Sequence, residues 1–161
     1  MNSYFTTGNL LKRQGKFKEA IAAYKHSIDL NPNFSWSYHN LGEALAHIGE
    51  FEQAVNAYQE AIKINPLSAL SYNNLGEALS KIGQLDQAIT CFQRAIELNP
   101  DILQFQKGFE LAKSQLGQNN LNEVTEDLES ILNSKMLWYS VHNLKNISAK
   151  EFAKKALAKN F

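Results

Sequence analysis

His39, Glu43 and His47 recur at intervals of four residues, the spacing that places side chains on one face of an α-helix. Imidazole and carboxylate both ligate zinc, so a metal site is the first chemistry to consider. Two turns of helix separate the imidazoles by ~12 Å, too far for both to bind one ion. The stripe is read instead as intrahelical His–Glu contacts or as a surface that meets a ligand. Cys91 is the only cysteine, so an internal disulfide is excluded. It lies on an otherwise apolar helical face, with Ala57 and Ala23 at intervals of 34 residues before it, and is read as packing rather than as a nucleophile. No glycine-rich phosphate loop and no Ser-His-acid set stands out. These residues therefore assign no catalytic group, no metal and no cofactor, and the expectation is a protein that is not an enzyme.

The elements that carry these side chains follow from composition and periodicity. The 161 residues are 44% hydrophobic and 20% charged, which suits one folded soluble domain and argues against disorder or a disulfide scaffold. Sixteen basic residues balance sixteen acidic ones, so no bulk charge draws the chain to nucleic acid or to an anionic membrane. No stretch approaches the roughly 18 apolar residues of a membrane span. The N-terminal residues Met-Asn-Ser-Tyr-Phe-Thr-Thr-Gly lack the form of a secretory signal. A cytoplasmic or otherwise reducing location is the expectation.

The three prolines, Pro32, Pro66 and Pro100, fall 34 residues apart. Six of the eight glycines keep the same period, as Gly8/Gly42/Gly76 and Gly15/Gly49/Gly83. Self-similarity at this period divides the chain into units 1–34, 35–68 and 69–102. In the second unit Tyr38, Leu41, Ala44, Leu45 and Ile48 recur at helical spacing, and after Gly49 a new series runs Phe51, Ala54, Val55, Tyr58, Ala61 and Ile62. Each unit thus predicts two amphipathic helices. Gly15, Gly49 and Gly83 sit where a left-handed residue closes the first helix; Asn31, Asn65 and Asn99, each before a proline, end the second. Gly42 and Ala54, with their counterparts, are expected to let the paired backbones approach closely.

The chain resembles the tetratricopeptide repeat (TPR) family. The second unit supplies the family signature as Tyr38, Leu41, Gly42, Ala54, Tyr58, Ala61 and Pro66, and the third as Tyr72, Leu75, Gly76, Ala88, Phe92, Ala95 and Pro100. The first matches at Tyr4, Gly8, Ala20, Tyr24 and Pro32 and departs at Thr7 and Ser27. The resemblance implies an all-α, right-handed superhelical α-solenoid of antiparallel helix pairs, with about ten helices once the remaining residues are counted.

Residues 103–134 are read as a degenerate fourth pair. Gly117 keeps the 34-residue phase, but Gln106 and Glu110 replace the signature aromatic and glycine. Leu121, Val124, Leu128, Ile131 and Leu132 repeat the apolar offsets of a second helix four residues late, which predicts a lengthened turn near Gly117. Residues 135–161 are read as C-terminal capping helices, one around Met136–Leu144 and one opened by a Ser148/Glu151 capping box. This tail is basic, with six lysines against Glu151, while residues 121–134 carry four acids and no base. Closure of the tail on that acidic stretch, pairing of two copies through Trp138 as a homodimer, and weak attachment to a membrane are its alternatives.

The resemblance further implies that the first helix of each pair lines a concave groove. Its groove-facing positions are Phe5, Asn9, Lys12 and Arg13; Trp36, His39, Glu43 and His47; Asn73, Glu77 and Lys81; and Lys107. Asn40 and Asn74 share a position whose amide commonly contacts the ligand backbone in this family, since it can donate and accept. One subclass grips the acidic tail of heat-shock chaperones with a carboxylate clamp. Its cations are replaced here by Phe5, Leu70 and Asn74, which leaves a carboxylate unpaired and argues against that ligand. The functional expectation is a non-catalytic scaffold or adaptor for a peptide or helix of a partner protein, with no nucleic acid bound. The alternative is a recruiting module of a glycosyl- or methyltransferase, and self-association through the C-terminal helices is a third reading.

Overall fold

The computed structural model describes residues 3–139, with side chains described up to residue 131. Seven helices and no strand occur among them: α1 Ser3–Arg13, α2 Phe17–Leu30, α3 Ser35–His47, α4 Phe51–Ile64, α5 Ala69–Lys81, α6 Leu85–Leu98 and α7 Leu103–Tyr139. Residues up to Ser114 form one compact unit, and the described residues from Gln115 onward belong to another. Within the first, successive helices pack in antiparallel order, α1 on α2, α2 on α3, and so on to α6.

Local chemistry sets the helix ends. Gly15, Gly49 and Gly83 have φ of 74°, 83° and 79°, the left-handed conformation that costs a side-chain-bearing residue energy. At each, the chain reverses through the same pair of bonds. Gly49 N donates to Ala46 O (3.1 Å) and Glu50 N to Leu45 O (3.0 Å), satisfying carbonyls the helix leaves orphaned. A Cβ at Gly49 would meet nothing within 4 Å, so Gly49→Ala is expected to cost about 1–2 kcal/mol through backbone strain alone. Urea denaturation checks this, and an unchanged midpoint contradicts it. The second helices end at Asn31, Asn65 and Asn99, and the Asn65 Oδ1 accepts from Leu67 N (3.2 Å) to make the turn into the proline-bearing loop.

The core repeats with the sequence. Ala20, Ala44, Ala54, Ala61, Ala88 and Ala95 are fully buried, and Tyr24, Tyr58 and Phe92 fill the space around them. Gly8, Gly42 and Gly76 face these rings: a Cβ on each would lie 2.6, 2.7 and 3.0 Å from Tyr24, Tyr58 and Phe92. What the small residue admits is thus a flat aromatic side chain from the partner helix. Ser27, a departure from the repeat signature, is fully buried and shares a 2.6 Å hydrogen bond with the equally buried Ser37, which satisfies both hydroxyls across α2 and α3. Cys91 packs against the core, and burial pushes its thiol up to about 11, which suits a packing role.

The helix count of about ten is corrected. The turn predicted near Gly117 does not form; α7 runs unbroken through it for 37 residues, taking in the start of the helix predicted around Met136. The physical reason is that a glycine inside a helix costs only about 1 kcal/mol relative to alanine. No proline follows Pro100 to remove a helical hydrogen bond, and Gly117 is not among the left-handed glycines. The capping box at Ser148/Glu151 and the basic last helix lie outside the described residues.

Candidate functional site

The first helices of the pairs, α1, α3 and α5, present their side chains to two neighbouring clefts. One, of about 410 Å³, is lined by Phe5, Asn9, Lys12 and Arg13 of α1, by Trp36 and Asn40 of α3, and by Phe34 in the turn before α3. Phe5 and Phe34 meet edge to face at 4.9 Å, and Trp36 remains 45% exposed, so this cleft has an apolar end. The other, of about 380 Å³, is lined by Glu43, Ala46 and His47 of α3, by Asn74, Glu77, Ala78 and Lys81 of α5, and by Phe51 and Tyr58 of α4.

Between the clefts lies a polar cluster built from three repeats. Lys12 Nζ bonds Glu43 Oε2 in an ion pair and donates to Asn40 Oδ1 at 2.6 Å. Glu43 Oε1 lies 3.5 Å from His39 Nε2 and accepts from Asn74 Nδ2 at 3.4 Å. His39 Nδ1 in turn lies 2.9 Å from Ser71 Oγ, whose backbone N–H is capped by Ser68 Oγ. With Nε2 carrying a proton, His39 donates to Glu43, and its Nδ1 meets the Ser71 hydroxyl, so one ring couples α3 to the start of α5. The His39 hydrogen bond, followed by the Lys12 hydrogen bond and charge, holds the Glu43 carboxyl down at about 2 against the opposing effect of burial.

This depression makes stability depend on acid. The unfolded chain takes up the Glu43 proton near its ordinary value of 4.5, while the folded chain resists to about 2. The contribution is therefore complete above that ordinary value and is lost as pH falls toward the folded one. Glu43→Gln is expected to be less stable than the parent at neutral pH, with the gap between their urea midpoints narrowing from about pH 6 to pH 2. A gap constant over that range contradicts the ion-pair assignment.

The structure brings together Phe5, Asn9, Lys12, Arg13, Trp36 and Asn40 in the first cleft and Glu43, His47, Asn74, Glu77 and Lys81 in the second. His39 and Asn73 are instead 4% and 1% exposed, and Lys107 lines neither cleft. His39 points inward against Trp36 and Tyr58 (5.3 and 5.8 Å), and Asn73 Nδ2 donates to Asn74 Oδ1 and to Glu77 Oε1 (2.9 Å). His47 stacks on Phe17 at 4.6 Å, turned away from sharing an ion with His39. Among the described residues no group of three His, Cys, Asp or Glu side chains is placed to hold a metal, and no helix is long and apolar enough to cross a membrane.

Phe34, Phe51, Tyr58 and Ala78 line the clefts without having been assigned there from sequence. Phe51 and Tyr58 belong to a second helix, and the sequence signal for them was the aromatic at Phe17 and Phe51 that opens successive second helices. The asparagines are engaged internally. Asn40 accepts from Lys12 and donates to Trp36 O at 3.0 Å, Asn74 joins Asn73 to Glu43, and Asn9 Oδ1 accepts from Tyr24 OH at 2.8 Å.

A family profile described as "Tetratricopeptide repeat" matches residues 69–102, and one described as "TPR repeat" matches residues 8–49 and 45–83. A search of curated protein sequences returns no significant match. Solved structures similar to the chain include the first TPR of Spaghetti (RPAP3) bound to HSP90 peptide SRMEEVD, 24% identical, covering 71% of this chain and 90% of that one with a TM-score of 0.70. The second TPR domain of human RPAP3 in complex with HSP70 peptide SGPTIEEVD is 23% identical, covering 69% and 92% at a TM-score of 0.68. MamA is 27% identical, covering 72% and 70% at 0.69. At the identity of the first two, the likeness is one of fold.

Proposed function

The chain belongs to the tetratricopeptide repeat family, and from that premise we propose that it is a non-catalytic adaptor that holds a peptide or helix of a partner protein. In this reading the helix pairs form a right-handed superhelical solenoid with the two clefts on its concave face, and the protein works in the cytoplasm. The observation that carries the proposal is the arrangement of the two clefts across α1, α3 and α5, with an exposed Trp36 and Arg13 both lining the first of them. Trp and Arg are the residues most enriched at binding hot spots.

The RPAP3 structures hold chaperone peptides, which supports a peptide as the kind of ligand. The particular tail is a different matter, because Phe5, Leu70 and Asn74 stand where a clamp for a terminal carboxylate needs cations. The similar structures give no support to a transferase-recruiting module. Self-association through residues 135–161 rests on a segment mostly outside the described residues.

The test is selection of peptides from a random phage-displayed library on the full chain and on the Trp36→Ala/Arg13→Ala variant. Selected peptides are expected to bind the variant at least about tenfold more weakly, the loss of a hot spot, with helicity and melting unchanged. Equal binding to both proteins removes the groove assignment.

A further inference from the structure

The first turns of α7 are packed, with Phe105 and Ala112 each 1% exposed. Farther along the same helix, Leu121 and Val124 are instead 59% and 50% exposed. With Leu128 and Ile131 they follow spacings of three, four and three, the period at which a helix keeps one stripe against a single partner helix along its length. The same stretch, 121–134, carries Glu123, Glu126, Asp127 and Glu129 and no base. The occupant this face fits is therefore a helix that is apolar on one side and basic beside it.

The chain supplies such a segment after Tyr139. In residues 148–161, opened by the Ser148/Glu151 capping box, Ala149, Phe152, Ala153, Ala156 and Leu157 share one helical face. Lys150, Lys154, Lys155 and Lys159 stand there against a single acid, Glu151. Fourteen helical residues rise ~21 Å, which is also the length of the stretch 121–134. Residues 140–147 leave eight for the reversal, within the range that joins antiparallel helices. So short a link holds the segment near α7 at an effective concentration of roughly millimolar. A second copy is the poorer occupant, because paired stripes would set the four acids of one copy against the same four of the other.

We infer that residues 148–161 fold back as a helix antiparallel to α7 and seat Phe152, Ala156 and Leu157 on the stripe of Leu121, Val124 and Leu128, with the lysines beside the acids. This goes beyond the adaptor reading and is independent of it, since no residue of α7 lines either cleft.

Hydrogen exchange read by mass spectrometry tests it on the full chain. Two charge variants are compared with the parent: Glu123→Lys/Glu126→Lys/Asp127→Lys, altered only at exposed positions of α7, and Lys154→Glu/Lys155→Glu/Lys159→Glu. Amides of 148–161 are expected to exchange at least about tenfold faster in either variant than in the parent. Combining the two sets is expected to restore the slow exchange, which a mere loss of helix propensity in one segment would not allow. Val124→Asp, at another exposed position, is expected to speed the exchange as the charge variants do. Exchange in the parent as fast as in a free peptide of residues 148–161 overturns the closure, and so does protection that neither charge set alters. Protection unchanged in Val124→Asp overturns the seat on the stripe. Sedimentation across a dilution series is expected to show the parent as a monomer; a dimer whose 148–161 protection is lost on dilution gives the stripe to a second copy and overturns the inference.

Discussion

Phe92→Ala is expected to destabilise the protein by about 3–5 kcal/mol, the range for removing a fully enclosed aromatic ring. Phe92 is 2% exposed. Its ring lies between two glycines on different helices: a Cβ on Gly76 of α5 would stand 3.0 Å from it, and one on Gly108 of α7 would stand 2.6 Å from it. The cost of such a truncation depends on how well the surroundings collapse into the space. Here two faces of the cavity are bare backbone with no side chain to swing inward, so collapse requires whole helices to move. Because each layer of a repeat protein contacts only its neighbours, the loss is expected to uncouple α5, α6 and the start of α7 before the N-terminal pairs. Urea denaturation followed by circular dichroism measures the total. Hydrogen exchange locates it, and a loss under about 1 kcal/mol or protection lost first in α1 and α2 contradicts the account.

The opposite change, filling space that is already full, is expected from Gly42→Val at a cost of about 3 kcal/mol. A Cβ there would lie 2.7 Å from Tyr58 Cε1, and Tyr58 is 2% exposed and flanked by the fully buried Ala54 and Ala61, so the added side chain forces the ring to move. Displacing it would also deform the second cleft, which its ring lines. Gly117→Ala is the matched control. It lies in α7 with nothing within 4 Å of an added Cβ, so the better helix propensity of alanine is expected to raise stability by up to about 1 kcal/mol. If both substitutions act alike in denaturant, steric contact with Tyr58 is not what keeps residue 42 a glycine.

The contrast between these glycines shows what was legible in the chain. Gly8, Gly15, Gly42, Gly49, Gly76 and Gly83 recur in register with prolines and apolar spacing, and the register located α1 to α6. Gly117 keeps the same interval and marks no turn, because spacing alone does not supply the left-handed backbone and the sharp stop that Gly49 and Pro66 provide together. The second helix predicted from Leu121 onward failed for the same reason. His39 and Asn73 were legible as helical positions and not as buried ones. Their inward turn depends on partners such as Ser71, 32 residues from His39 and brought close only by stacking.

By itself the sequence determined the helix boundaries of the three repeats and the aromatic and alanine core. These follow from effects that act within a few residues: proline geometry, left-handed glycine and the 3.6-residue period. Only the tertiary structure decided which polar groups meet. Lys12 and Glu43 are 31 residues apart, and the same is true of Glu43 and Asn74. Their contacts depend on how far one layer is displaced from the next, which no local pattern contains. That displacement engages the asparagines internally and leaves Trp36, Arg13 and Lys81 facing outward.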